Sequence, residues 1–147
     1  MSLRRRSREM TLQLLFQREF APGLSPEAGL AARSESQPIN MFRDFVANFE
    51  IEPEVADYAG VLFRGVCENL PEIDRVIEAN ARHWKIGRMS LVDLSILRVA
   101  VFEMTMVVPR LTPAIAINEA VDLAREFGST DSASFVNGIL DPIARQL

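Results

Sequence analysis

The chain has 147 residues, 48% hydrophobic and 24% charged. This excludes a disordered polypeptide and suffices for one domain with a buried core. A formal net charge of −4 excludes a protein that coats nucleic acid with its whole surface. One cysteine, Cys67, and one histidine, His83, exclude an internal disulfide and an ordinary histidine-rich metal site.

The apolar pattern is helical from the start. Met10, Leu12, Leu14, Leu15 and Phe16 stand among polar residues between Arg5 and Phe20, and no strand-like alternation persists. Ala21 to Pro38 carries three prolines, two glycines and several serines. It is expected to be a loop, with one short helical turn near Glu27 to Ala32. Ile39 to Phe49 forms a short amphipathic helix. Pro53 suits the first turn of the next helix. Its apolar face takes in Val55, Tyr58, Ala59, Leu62, Phe63, Val66 and Leu70, the i, i+3, i+4 repeat of a one-sided helix. Pro71 breaks or kinks it. Glu72 to Trp84 continues, with Ile73, Val76, Ile77 and Trp84 on one side, and Gly87 ends that section.

Ser90 and Asp93 have the spacing of a capping box, although Glu or Gln is commoner at the second position. The helix behind them, Leu91 to Met106, is apolar nearly all round and so is expected to be central and buried. Pro109 and Pro113 fence a loop. Thr112 then Pro113 predicts an N-cap and first helical residue, and Gly128 a stop. Ser129 to Asp131 offers another cap, and a last helix runs towards Gln146. Pro142 is expected to kink or end it. No internal repeat is present. The sum is an all-α domain of six or seven helices spanning residues 1–147. No apolar run approaches the ~20 residues of a membrane span. The N-terminal arginines precede no signal-peptide-like apolar segment. A cytoplasmic protein with no membrane association is expected.

Chemistry is sparse. No nucleophile motif, glycine-rich phosphate loop or metal-ligand spacing occurs, and acidic pairs such as Glu50 with Glu52 have the look of solvated turn residues. No enzyme activity and no cofactor are expected. Arg98, inside the most apolar helix, needs a partner, because an unpaired buried charge costs several kcal/mol. Glu103 and Glu119 are candidates, and a pair of Arg98 with Glu119 is expected to join two helices. Asn118 and Asn137 suit backbone hydrogen bonds, and Gly138 a close approach of helices. Arg4, Arg5, Arg6 and Arg8 cluster within the first eight positions. They form either a solvated arm or a phosphate-binding segment, since screening lets a basic cluster act locally in an acidic chain. Phe135 is either core or a base-stacking platform.

Three stretches carry a resemblance to a known family. These are Arg5-Arg6-Ser7-Arg8-Glu9, then Ser90 to Glu103, then Ala116-Ile117-Asn118-Glu119-Ala120 to Gly128 followed by Ser134-Phe135-Val136-Asn137-Gly138-Ile139-Leu140-Asp141. Their order and spacing resemble those of the NusB family of bacterial transcription antitermination factors, across nearly the whole chain. The resemblance implies a fold of two small helical subbundles. It implies a non-enzymatic factor that binds single-stranded boxA RNA in transcripts of ribosomal RNA operons. The ribosomal small-subunit protein NusE is the implied partner, with other Nus factors and RNA polymerase engaged indirectly.

By the same resemblance, Arg4, Arg5, Arg6 and Arg8 match the family's RNA-binding start. Phe135 matches its RNA-proximal aromatic, and Ser132, with Asp131, lies at the edge of that surface. Asp131 has a second role as N-cap. Phe16 and Asp93 match positions that face NusE, with Phe16 where some members have tyrosine. Ser134 stands where some members have lysine, and Pro142 departs from the family pattern. Two rivals are an RNA methyltransferase carrying a NusB-like domain, for which the chain is too short, and a helical protein-interaction or homodimerisation module that binds no RNA.

Overall fold

A computed structural model describes residues 2–20 and 36–147. The helical turn expected near Glu27 to Ala32 falls outside the described residues. Seven α-helices and one 3-10 turn, and no strands, occur among the described residues. They are α1 (Leu3–Phe20), α2 (Ser36–Asn48), α3 (Pro53–Glu68), α4 (Leu70–Asn80), the 3-10 turn Ile86–Arg88, α5 (Leu91–Thr105), α6 (Pro113–Phe127) and α7 (Ser132–Arg145). They divide into two compact units, Met1–Glu68 and Asn69–Leu147.

In the first unit α1, α2 and α3 pack on one another. Met10, Leu14 and Leu15 of α1 are buried, as are Val55, Ala59, Leu62, Phe63 and Val66 of α3, as the i, i+3, i+4 pattern of α3 demands. Two small polar residues let the helix backbones come close. Ser7 Oγ lies 3.0 Å from the carbonyl of Leu3 and 2.9 Å from that of Val55 on α3. One turn on, the Thr11 hydroxyl donates to the Ser7 carbonyl at 2.8 Å and reaches the Ala59 carbonyl at 3.5 Å. Both residues are fully buried, and their own-helix carbonyls keep the hydroxyls satisfied. α2 begins earlier than the expected Ile39, with Pro38 in its first turn, where a missing N–H costs nothing.

In the second unit α5 is the core element, packed against α4, α6 and α7. Every residue from Asp93 to Met104 is buried. Around it lie Ile73 and Ile77 of α4, Ala116, Ala120, Leu123 and Ala124 of α6, and Val136, Ile139, Leu140 and Ile143 of α7. Each fully buried Leu or Ile contributes roughly 1.5–3 kcal/mol. Prolines and caps set the boundaries. Pro71 sits in the first turn of α4 and Pro113 in that of α6. Ser90 Oγ accepts from the Asp93 N–H at 3.1 Å, the expected N-cap bond of α5. Thr112 holds the cap position of α6 without a side-chain cap bond.

Five expectations need correction. Leu70, expected on the apolar face of α3, opens α4 instead, because α3 stops at Glu68 and the break falls before Pro71. Helix α4 stops at Asn80, so Trp84 lies beyond it and is 51% exposed rather than on a packed face. Of the two effects expected of Pro142, a kink or an end, the end does not occur, since α7 runs on to Arg145. The bond the proline removes is the one to the carbonyl of Gly138, an exposed position. Gly138 serves no close approach, since nothing among the described residues lies within 4 Å of a Cβ built there. Asp131 occupies the N-cap position of α7 but makes no side-chain cap bond.

Candidate nucleic-acid-binding surfaces

In the first unit the arginine cluster is helical, not a free arm. The Ser2 hydroxyl accepts from the Arg5 N–H at 3.1 Å, so the helix is capped just before the cluster and Arg4, Arg5, Arg6 and Arg8 occupy its first two turns. No acidic residue lies in the first turn. The positive helix end and the guanidinium charges therefore add instead of cancelling, which favours an anion there.

Neighbours hold these side chains. The Arg4 guanidinium lies over the Tyr58 ring, 3.6 Å from its centroid, an arrangement that suits a planar cation. Arg6 pairs with Glu52 while both side chains stay substantially exposed. Arg5 is half-buried. Arg8 differs, being only 4% exposed. Of the four, Arg4, Arg5 and Arg6 can reach solvent. Glu52 and Tyr58, which hold Arg6 and Arg4, were missed from sequence, and no pattern in the chain pointed to them. Phe16, further along α1, is 40% exposed.

In the second unit the α6–α7 turn positions Phe135. The Ser129 N–H donates to Ser132 Oγ at 2.9 Å, and the two hydroxyls lie 3.2 Å apart. Ser132 is 2% exposed, so its hydroxyl staples the turn and does not face solvent. Gly128 makes room for it: a Cβ there would sit 2.4 Å from Ser132 Oγ and 2.7 Å from the Ala124 carbonyl. Phe135, on the first turn of α7, is half-buried. Its ring meets Trp84 edge to face, with centroids 5.9 Å apart and planes at 84°. Ser134 is exposed.

Asp93 is buried near the start of α5, and its Oδ1 has no hydrogen-bond partner among the described residues. Arg98, also buried, forms a two-pronged pair with Asp74 of α4, through Nε to Oδ1 and Nη2 to Oδ2, both at 2.9 Å. Asp74 was not among the partners the sequence suggested. No cluster of metal-binding side chains occurs among the described residues, and no helix of the described residues is long and apolar enough to cross a membrane.

Comparison with known proteins identifies the family. Residues 5–145 match the model of the NusB family. The transcription antitermination protein NusB of Bdellovibrio bacteriovorus is 41% identical over 145 residues, 99% of this chain and 97% of that protein. The protein of the same name from Geobacter sulfurreducens is 40% identical over 150 residues, covering 100% of this chain and 97% of that one. Among solved structures, T. maritima NusB superposes with a TM-score of 0.77 at 29% identity, over 97% of this chain and 91% of that one. A chain from a crystal structure of antitermination factors NusB and NusE in complex with dsRNA gives the same TM-score, 0.77, at 24% identity, over 100% and 99% of the two chains. At that identity it speaks for the fold.

Proposed function

The chain belongs to the NusB family, and from that premise we propose that it is a transcription antitermination factor. It binds single-stranded boxA RNA in transcripts of ribosomal RNA operons together with NusE. The complex then acts on RNA polymerase through other Nus factors. The whole of residues 1–147 serves as one RNA-binding domain, working in the cytoplasm without catalysing a reaction.

The observation that carries this reading is the start of α1, where Arg4, Arg5 and Arg6 surround a helix end that holds no carboxylate in its first turn. These arginines neutralise phosphates, and the counterions they displace drive binding. Arg8, at 4% exposure, has a structural role in the same segment. Phe135 offers a ring to an unstacked base, the usual way single-stranded RNA is held. Ser132 contributes by fixing the turn that carries Phe135.

Toward NusE, Phe16 supplies an exposed aromatic of the kind that anchors protein interfaces. Asp93 supplies a buried carboxylate oxygen that lacks a donor among the described residues, and a donor from NusE would relieve its cost. The relatives' names support the antitermination role, and the presence of NusE beside NusB in the solved complex with dsRNA supports the partner assignment.

Sedimentation of the chain with NusE and boxA RNA tests the assignment. A single ternary species containing one copy of the chain is expected. A species formed by the chain with itself, indifferent to NusE and RNA, would put the homodimerisation module in its place.

A further inference from the structure

Between α4 and α5 lies the segment Ala81-Arg82-His83-Trp84-Lys85-Ile86-Gly87-Arg88, and no carboxylate stands between Glu78 and Asp93. In a chain of net charge −4, it holds three cations and the only tryptophan and lysine of the sequence. Arg82, His83, Trp84, Lys85 and Arg88 are all exposed. A large indole left 51% exposed amid cations does not serve the core.

The backbone of the segment is held in shape. The Trp84 N–H donates to the Ala81 carbonyl at 3.3 Å, the Arg88 N–H to Lys85 at 2.9 Å and the Met89 N–H to Ile86 at 3.1 Å. Two side-chain contacts join this region to α7 and the residue just past it. Gln146 Nε2 donates to Asn80 Oδ1 at 2.9 Å, and Trp84 meets Phe135 edge to face. With the planes at 84° the two rings meet edge to face rather than stacked, and the indole keeps about half its surface, 51%, exposed.

We infer that Trp84 is a base-stacking residue for single-stranded RNA, with Arg82, Lys85 and Arg88 taking the phosphates on either side. The inference rests on the proposed RNA-binding function and extends it to a segment outside the arginine-rich helix start. Phe135 then acts in part by bracing the indole. An aromatic between cations is the arrangement by which single-stranded nucleic acid is bound with little sequence preference, because every base presents a π-face. Arginine and lysine beside it bring the salt dependence.

Trp84 is itself the probe, as the chain has one tryptophan. Labelled boxA RNA is titrated with the chain and NusE while anisotropy and tryptophan emission are both followed. The Trp84→Phe variant supplies the blank for any emission from NusE. The expected result is quenching of Trp84 emission in step with the rise in anisotropy. Trp84→Ala then weakens binding about tenfold, within the range for loss of one stacked base, and Trp84→Phe restores most of it. Lys85→Ala and Arg88→Ala each flatten the salt dependence by about 0.7 in the log–log slope. RNA binding by the wild type with silent Trp84 emission, or with Trp84→Ala at wild-type affinity, overturns the inference and leaves the proposed function standing. Absence of boxA binding by the wild type with active NusE overturns both.

Discussion

Arg98 and Asp74 meet as a fork on a carboxylate, with two hydrogen bonds of 2.9 Å between the central helix α5 and α4. Arg98 is 7% exposed and sits in the most apolar helix of the chain. The pair lets a guanidinium be buried there and fixes α4 against α5 at one register. Asp74→Ala removes both bonds at once. A loss of about 1.5–3 kcal/mol of unfolding free energy is expected, the usual range for hydrogen bonds to a charged group. Urea unfolding followed by circular dichroism measures it, and a change below about 0.5 kcal/mol would show the pair to be incidental.

The turn between α6 and α7 depends on Gly128 for room rather than for backbone freedom. Its φ of −93° is open to any residue. A methyl group there would collide with Ser132 Oγ, Ser132 Cβ and the Ala124 carbonyl, all within 2.7 Å. Gly128→Ala is expected to cost about 1–3 kcal/mol, the range for forced overpacking. Adding Ser132→Ala should not restore stability, because Cβ and the carbonyl remain in the way. Thermal unfolding of the single and double variants decides this.

Arg8 is predicted to part company with the arginines beside it. Arg4→Ala, Arg5→Ala and Arg6→Ala should each lower the log–log salt slope of boxA binding by about 0.7, one phosphate contact apiece. Arg8→Ala should instead lower stability by roughly 1–3 kcal/mol, as removal of a buried, partnered cation does. Salt titrations and unfolding curves on the same four variants separate the two classes.

Phe16 is 40% exposed on α1, so its truncation costs little within the chain. Phe16→Ala is expected to change unfolding by less than about 1 kcal/mol while weakening NusE binding at least about tenfold, as loss of an aromatic anchor does. Titration calorimetry with NusE measures the second effect. Unchanged affinity would remove Phe16 from the interface.

The helix boundaries were legible wherever local chemistry sets them. Pro53 and Pro113 stand in first turns, Ser90 caps α5 and Gly128 ends α6, whereas Pro71, read as a break in the preceding helix, stands in the first turn of α4. Trp84 was misread because Ile73, Ile77 and Trp84 keep helical spacing. The chain leaves the helix at Asn80, with the Ala81 N–H turning back to Glu78, and no glycine or proline marks that point. Only Gly87, seven positions on, gave a signal. Asp74 was out of reach for another reason: it lies 24 residues from Arg98, and spacing says nothing about partners across a fold. The burial of Arg8 beside more exposed arginines was not legible, because charge patterning along a chain does not encode which side of a helix is covered.

Fluorescence anisotropy of labelled single-stranded boxA RNA, titrated with the chain and NusE against a scrambled RNA of equal length, addresses the central claim directly. The account predicts tighter binding to boxA than to the scrambled RNA, weakened by the combined Arg4→Ala, Arg5→Ala and Arg6→Ala substitutions. Equal or absent binding to both RNAs, by a folded chain with active NusE, would contradict it.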